Sequence, residues 1–198
     1  MKAIEIRQTG NNNAGIIVNG SIINISITDD GYLFNDQNPA ILDFLSREYY
    51  QLLVTDEKDA LKRHIITIPI EGALHQKIVP PEIYKRCSSL SNAAIEELKN
   101  FPAIVCRQNT GYDGKTDEQI ASLAHILDVY RTDSYVQVTF SHIKPLSQLK
   151  LSQNATHFGL NMGCALTDLN RNEWSVHRVN LLEAIAKTGI LIETGGGV

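Results

Sequence analysis

Eight consecutive residues, Asn170-Arg171-Asn172-Glu173-Trp174-Ser175-Val176-His177, bring together a guanidinium, a carboxylate, the chain's only tryptophan, an imidazole and two amides. That mixture suits a surface that grips a planar anion, because Arg pairs bidentately with carboxylate or phosphate and an indole stacks on flat rings. Laid out as a strand, Arg171, Glu173, Ser175 and His177 share one face, while Asn170, Asn172, Trp174 and Val176 share the other. The expectation is a partly exposed Trp174 that stacks a ligand and an Arg171 that holds its anionic group. Asn170 and Asn109 would read polar edges, and the polar loop 109–115 adds Tyr112 to the ligand-binding set.

A second chemistry is open to the histidines. His142, His157 and His177 with a carboxylate such as Asp113 form a candidate acid–base set for a phosphodiesterase or nucleotide hydrolase. Cys164 is a conceivable nucleophile beside them. The hydroxyl-bearing neighbours stand as Ser141-His142 and Thr156-His157, the reverse of the His-x-Thr or His-x-Ser order of paired-histidine phosphodiesterases. No H-x-x-x-H or H-E-x-x-H spacing exists, so no metal is expected. Gly114-Lys115-Thr116 lacks the upstream glycine of a phosphate loop, since Asn109 stands there. No cofactor is implied.

Cys87, Cys106 and Cys164 are scattered and odd in number, which argues against a disulfide framework. Net charge is −4. The first hundred residues carry 10 Lys+Arg against 13 Asp+Glu and the rest 8 against 9, so no basic footprint for duplex nucleic acid exists. No apolar run reaches the roughly 20 residues that span a bilayer, and the N-terminus lacks a signal-peptide core. The chain is expected to be cytoplasmic, without a membrane partner.

The elements that must position these residues follow from periodicity. Lys2 to Gln8 alternates, and Asn19-Gly20 joins two short runs as a hairpin signal. The edges of that hairpin can pair with a partner or with a second copy. Asn38-Pro39 starts a helix on which Ile41, Leu42, Leu45, Tyr49 and Leu52 recur at helical spacing. A second short helix is expected over 56–63, a strand over 64–70, and a helix capped by Ser91 that leads to a short buried strand at Pro102. The stretch 116–131 fits either one long helix or a helical turn followed by a hairpin of 123–130 with 135–142; alternation favours the hairpin. One helical turn at 147–151, an extended 157–160, a helix over 180–187 ended by Gly189 and a last strand at 190–193 complete the pass. Pro80-Pro81 divides the chain into α+β subdomains over 1–80 and 81–198, unless the two form one continuous domain. The Gly195-Gly196-Gly197 tail is a loose terminus.

Leu169 to His177, followed by Val179-Asn180-Leu181, resembles a segment of uncharacterised bacterial proteins that reads roughly N-R-T-x-W-x-I-K-x-V-D-L before a terminal helix. Phe101-Pro102-Ala103-Ile104 and the 123–142 hairpin are also similar to those proteins. Asn172 stands where they have Thr, His177 where they have Lys, and Asn180 where they have Asp. Their strand–hairpin–strand pattern resembles small PUA-like or EVE-like barrels, whose pockets stack a base on an aromatic ring. The whole chain therefore reads as α+β: N-terminal β-hairpins plus helices, then a small mixed or antiparallel β-sheet or barrel with flanking helices. The functional expectation is a non-catalytic recognition protein for a nucleotide or modified base. A histidine-dependent hydrolase and a protein–protein module are the alternatives.

Overall fold

The computed structural model describes residues 5–8, 13–18, 21–27, 33–34, 39–109, 119–161 and 167–192, with side chains from residue 41 onward. Tyr112, Asp113, Cys164 and the glycine-rich tail lie outside the described residues. The fold is α+β. Four short strands, β1 (Glu5–Gln8), β2 (Asn13–Val18), β3 (Ser21–Ile27) and β4 (Leu33–Phe34), form one antiparallel sheet in chain order. Val18 pairs with Ser21 across Asn19-Gly20, the register of a two-residue hairpin.

A six-stranded sheet carries the rest. Its strands are β5 (Tyr50–Thr55), β6 (Ile65–Pro69), β7 (Pro102–Arg107), β8 (Ile120–Arg131), β9 (Tyr135–Ser147) and β10 (Glu173–His177), in the order β10-β5-β7-β8-β9-β6. Only β5 and β7 run parallel. The expected 123–142 hairpin is present as β8 and β9. Strands from both sides of Pro80-Pro81 share this sheet, so a boundary at residue 80 would cut it. That dipeptide starts a helix, α3 (Pro81–Cys87), because proline's fixed φ and missing N–H suit the first helical position.

Two expectations are corrected here. The helix at Pro39 stops early, as α1 (Pro39–Phe44), and Tyr50 to Thr55 is strand. A strand held between two neighbours and covered on both faces is apolar throughout, so Tyr49 and Leu52 matched the helical period by composition rather than by periodicity. Residues 157–160, expected to be extended, belong largely to a 3₁₀ turn, Ala155–Phe158, closed by the left-handed Gly159.

The sheet is open rather than a barrel. Its β10 edge is covered by the chain that follows β6. Leu74 N–H donates to Trp174 O at 2.8 Å and Val176 N–H to Ile78 O at 3.4 Å. Gly72 lets this strap approach, since a Cβ there would meet Asn172 O at 2.8 Å. One core packs α2 (Ala60–Arg63), α3 and α4 (Asn92–Lys99) against one face through Leu61, Ile83, Leu98, Val105 and Trp174. The other packs α5 (Gln148–Gln153) and α6 (Leu181–Thr188) against Tyr50, Leu52, Ile104 and Leu123. Asn180 caps α6 by accepting from Glu183 N–H, and the left-handed Gly189 ends it. No helix among the described residues is long and apolar enough to cross a membrane.

Candidate functional site

Alternation along β10 sends its side chains to different environments. Trp174 and Val176 enter the core beneath α3 and α4, whereas His177 turns to the opposite face and stacks on Tyr50 at 5.1 Å. The indole is 0% exposed, and its Nε1–H donates to Gln51 Oε1 at 3.1 Å. Gln51 Nε2 in turn donates to Leu98 O at 2.8 Å and Phe101 O at 3.2 Å. The expected partly exposed stacking platform is therefore corrected: the apolar face of β10 is the one roofed by helices, and the ring has no side open to solvent.

The two segments singled out by their chemistry do meet. β5 and β7 end at Thr55 and Arg107, β9 ends at Ser147, and β8 and β10 begin at Ile120 and Glu173, all at one end of the sheet. Beyond it, Asn109 N–H donates to Leu169 O at 2.9 Å, which places Asn109 next to Asn170 and Arg171. Asn109 Oδ1 accepts from Gln148 Nε2 at 2.8 Å and its Nδ2 donates to Ser152 Oγ at 3.1 Å. Gln148 Nε2 also reaches Arg107 O at 2.6 Å. Asn170 Oδ1 accepts from Thr167 N–H and Oγ1–H, closing the 3₁₀ turn Asp168–Asn170. The Asp168 carboxylate accepts from Asn161 N–H at 2.8 Å. Arg171 is exposed.

Not every buried polar atom here has a partner. Among the described residues, Gln148 Oε1, Gln119 Oε1, Glu173 Oε1 and Arg107 Nε are enclosed without a hydrogen bond, against the rule that such atoms are satisfied. Burial pushes the Glu173 carboxyl up to about 7; the Asp168 carboxylate adds to the rise and Arg171 opposes it. In α/β sheets, ligands settle outside the carboxyl ends of parallel strands, and this cluster lies at those ends of β5 and β7.

The histidines are not assembled. His177 Nδ1 lies 3.2 Å from Gly159 O and so carries the proton, leaving Nε2 to accept from Ser175 Oγ–H at 2.9 Å. Burial lowers the pKa of this imidazole, against the Asp168 carboxylate and the Gly159 bond. A histidine that accepts a serine proton is the first half of a nucleophilic dyad, but the buried Ser175 Oγ and both His177 nitrogens already have partners within the fold, so the pair orients β10 rather than meeting a substrate. His142 packs on the other face against Phe140 and His64, with Nε2–H on Leu61 O at 2.7 Å. Burial pushes it down to about 4. His157 is exposed. The three-histidine set is thus corrected: the sheet itself separates His142 from His177. Among the described residues no group of three His, Cys, Asp or Glu could hold a metal ion.

The residues missed from sequence are Gln51 and Gln148. A signal for Gln148 existed: Gln148, Leu151 and Ser152 form the buried stripe of α5, and two polar residues on such a stripe mark a network or a site. No protein-family model, no curated protein and no solved structure matches this chain.

Proposed function

We propose that the chain is a non-catalytic recognition protein whose ligand is a small planar anion, a nucleotide or modified base, bound at the carboxyl end of β5 and β7. The observation that carries this reading is the pair of buried acceptors without partners, Gln148 Oε1 and Glu173 Oε1, beside the exposed Arg171. A buried acceptor without a partner costs about 1–3 kcal/mol, and a ligand that brings N–H donors recovers that cost. Carboxamides supply both a donor and an acceptor in one plane, which suits the edge of a heterocyclic base. Asn109 holds Gln148 in position, Glu173 and Gln148 offer the acceptors, and Arg171 takes the anionic group. Trp174 contributes by clamping β10 through Gln51, not by touching the ligand.

A thermal-shift panel of nucleotides, nucleosides and cyclic nucleotides tests the reading. A true ligand at 100 times its Kd stabilises by about 2.7 kcal/mol, and Gln148→Met should erase the shift while leaving a folded chain. No shift from any of them at millimolar concentration overturns it.

A further inference from the structure

A cleft of about 220 Å³, lined by none of the residues of the cluster just described, opens elsewhere on the molecule. The strap after β6, the C-terminal end of α3 and the end of β8 enclose it, through Ile70, Glu71, Leu74, Tyr84, Leu90 and Arg131. Only three non-glycine residues among those described have a left-handed φ, and two of them, Leu74 (φ 51°) and Leu90 (φ 51°), line this one cleft. An L-residue with a Cβ holds that conformation only where its surroundings impose it, and such strain gathers at ligand clamps. Here the Leu74 N–H is fixed on Trp174 O at 2.8 Å and the Leu90 N–H on Cys87 O at 3.0 Å.

The charges in the cleft are one of each sign. Arg131 is anchored by Nη1–H to Ser89 O at 2.8 Å, which sets the guanidinium at the rim with further N–H donors available. Glu71 is exposed on the strap. Among the described residues no ion pair joins Glu71 to Arg131. A guanidinium by itself would welcome any anion, but a dianion such as phosphate would also meet the field of the Glu71 carboxylate, which lines the same cleft. A molecule that carries a carboxylate and an ammonium satisfies both groups, and its third substituent meets the half-buried Ile70, Ala73 and Tyr84, which Leu74 and Leu90 back from the core.

We propose that this cleft binds a free α-amino acid with an apolar side chain, its carboxylate on Arg131, its ammonium on Glu71 and its side chain against the half-buried Ile70 and Tyr84. The proposal is independent of the nucleotide reading and stands or falls separately from it. Isothermal calorimetry on the full chain with phenylalanine, phenethylamine and hydrocinnamate tests it. Phenylalanine should bind, and each one-charge analogue should bind at least about tenfold more weakly, the usual scale of one charge-assisted contact. Arg131→Gln should weaken phenylalanine about tenfold while leaving phenethylamine unchanged, and Glu71→Gln should do the converse with hydrocinnamate. Both positions are exposed, and an unchanged unfolding midpoint confirms that the variants are folded. No binding of phenylalanine or leucine at about 10 mM, equal affinity for all three compounds, or variants with unchanged affinity would each overturn the proposal.

Discussion

Gln51 on β5 and Gln148 at the start of α5 are both wholly buried carboxamides, and only one has a complete set of partners. Gln51 gives its amide hydrogens to Leu98 O and Phe101 O and receives the Trp174 indole N–H. Gln148 gives hydrogens to Arg107 O and Asn109 Oδ1, and its oxygen receives nothing. The first is a clasp between β5, β10 and the end of α4; removing any member should cost stability and nothing else. The second is held as firmly on its donor side, yet its enclosed acceptor has no hydrogen bond among the described residues. Burial alone does not separate the two amides; the acceptor without a partner does.

The largest test of that contrast is Trp174→Ala. It removes a large buried side chain, a change that costs about 3–5 kcal/mol, and leaves Gln51 Oε1 without its donor, which adds roughly 1–3 kcal/mol. Urea denaturation should find the variant mostly unfolded near physiological temperature. A variant that keeps its stability but loses nucleotide binding would instead return Trp174 to the ligand and break the division between the two amides.

A smaller effect separates the two faces by pH. Glu173 rises from an ordinary 4.5 to about 7 in the fold. Between those values the native chain keeps a proton that the unfolded chain has released, so stability falls as pH rises through this window and levels off above it. At about 1.4 kcal/mol per pKa unit the loss is on the order of 3 kcal/mol. His142 acts in the opposite sense. Its folded pKa drops from 6.5 to about 4, so its share of stability is intact above 6.5 and lost as pH falls towards 4. Denaturation midpoints of Glu173→Gln across pH 4 to 8 isolate the first slope. The variant should be the more stable protein at pH 7.5 and the difference should vanish near pH 4. A constant difference across that range would mean that Glu173 is already paired or solvated, and the proposed acceptor would be lost.

How far the sequence anticipated this arrangement depends on what each signal measures. The β8–β9 hairpin was legible because one face of each strand alternates, and Gly189 marked the end of α6 because a left-handed stop is local chemistry. Strand β5 was not, since a strand buried on both faces carries no period. The polar face of β10 was read correctly as a face but not as a buried one: Glu173, Ser175 and His177 are all buried, and His177 meets the carbonyl of Gly159, which closes the Ala155–Phe158 turn 18 residues upstream. That is a long-range contact, and nothing in eight residues announces it. Trp174 and Arg171 looked like partners because they are near in sequence, whereas alternation puts them on different sides of the strand.

Arg171→Ala should change stability least and the site most. Its side chain is exposed, and surface substitutions outside special features stay within about 0.5 kcal/mol, so the urea midpoint should not move measurably. Its charge faces the end of the sheet where Glu173 sits close enough for the guanidinium to lower the carboxyl's pKa. Removing it should therefore raise the Glu173 pKa further while weakening any anionic ligand. The informative comparison is between a nucleoside and its monophosphate in parallel titrations. Under the proposed binding mode, loss of a charge-assisted contact should weaken the monophosphate by about tenfold and leave the nucleoside, which would meet only Gln148 and Glu173, nearly unchanged. Equal weakening of both would place Arg171 in the scaffold of the turn at Asp168–Asn170 rather than on the ligand, because a disturbed turn moves the amides that both molecules share.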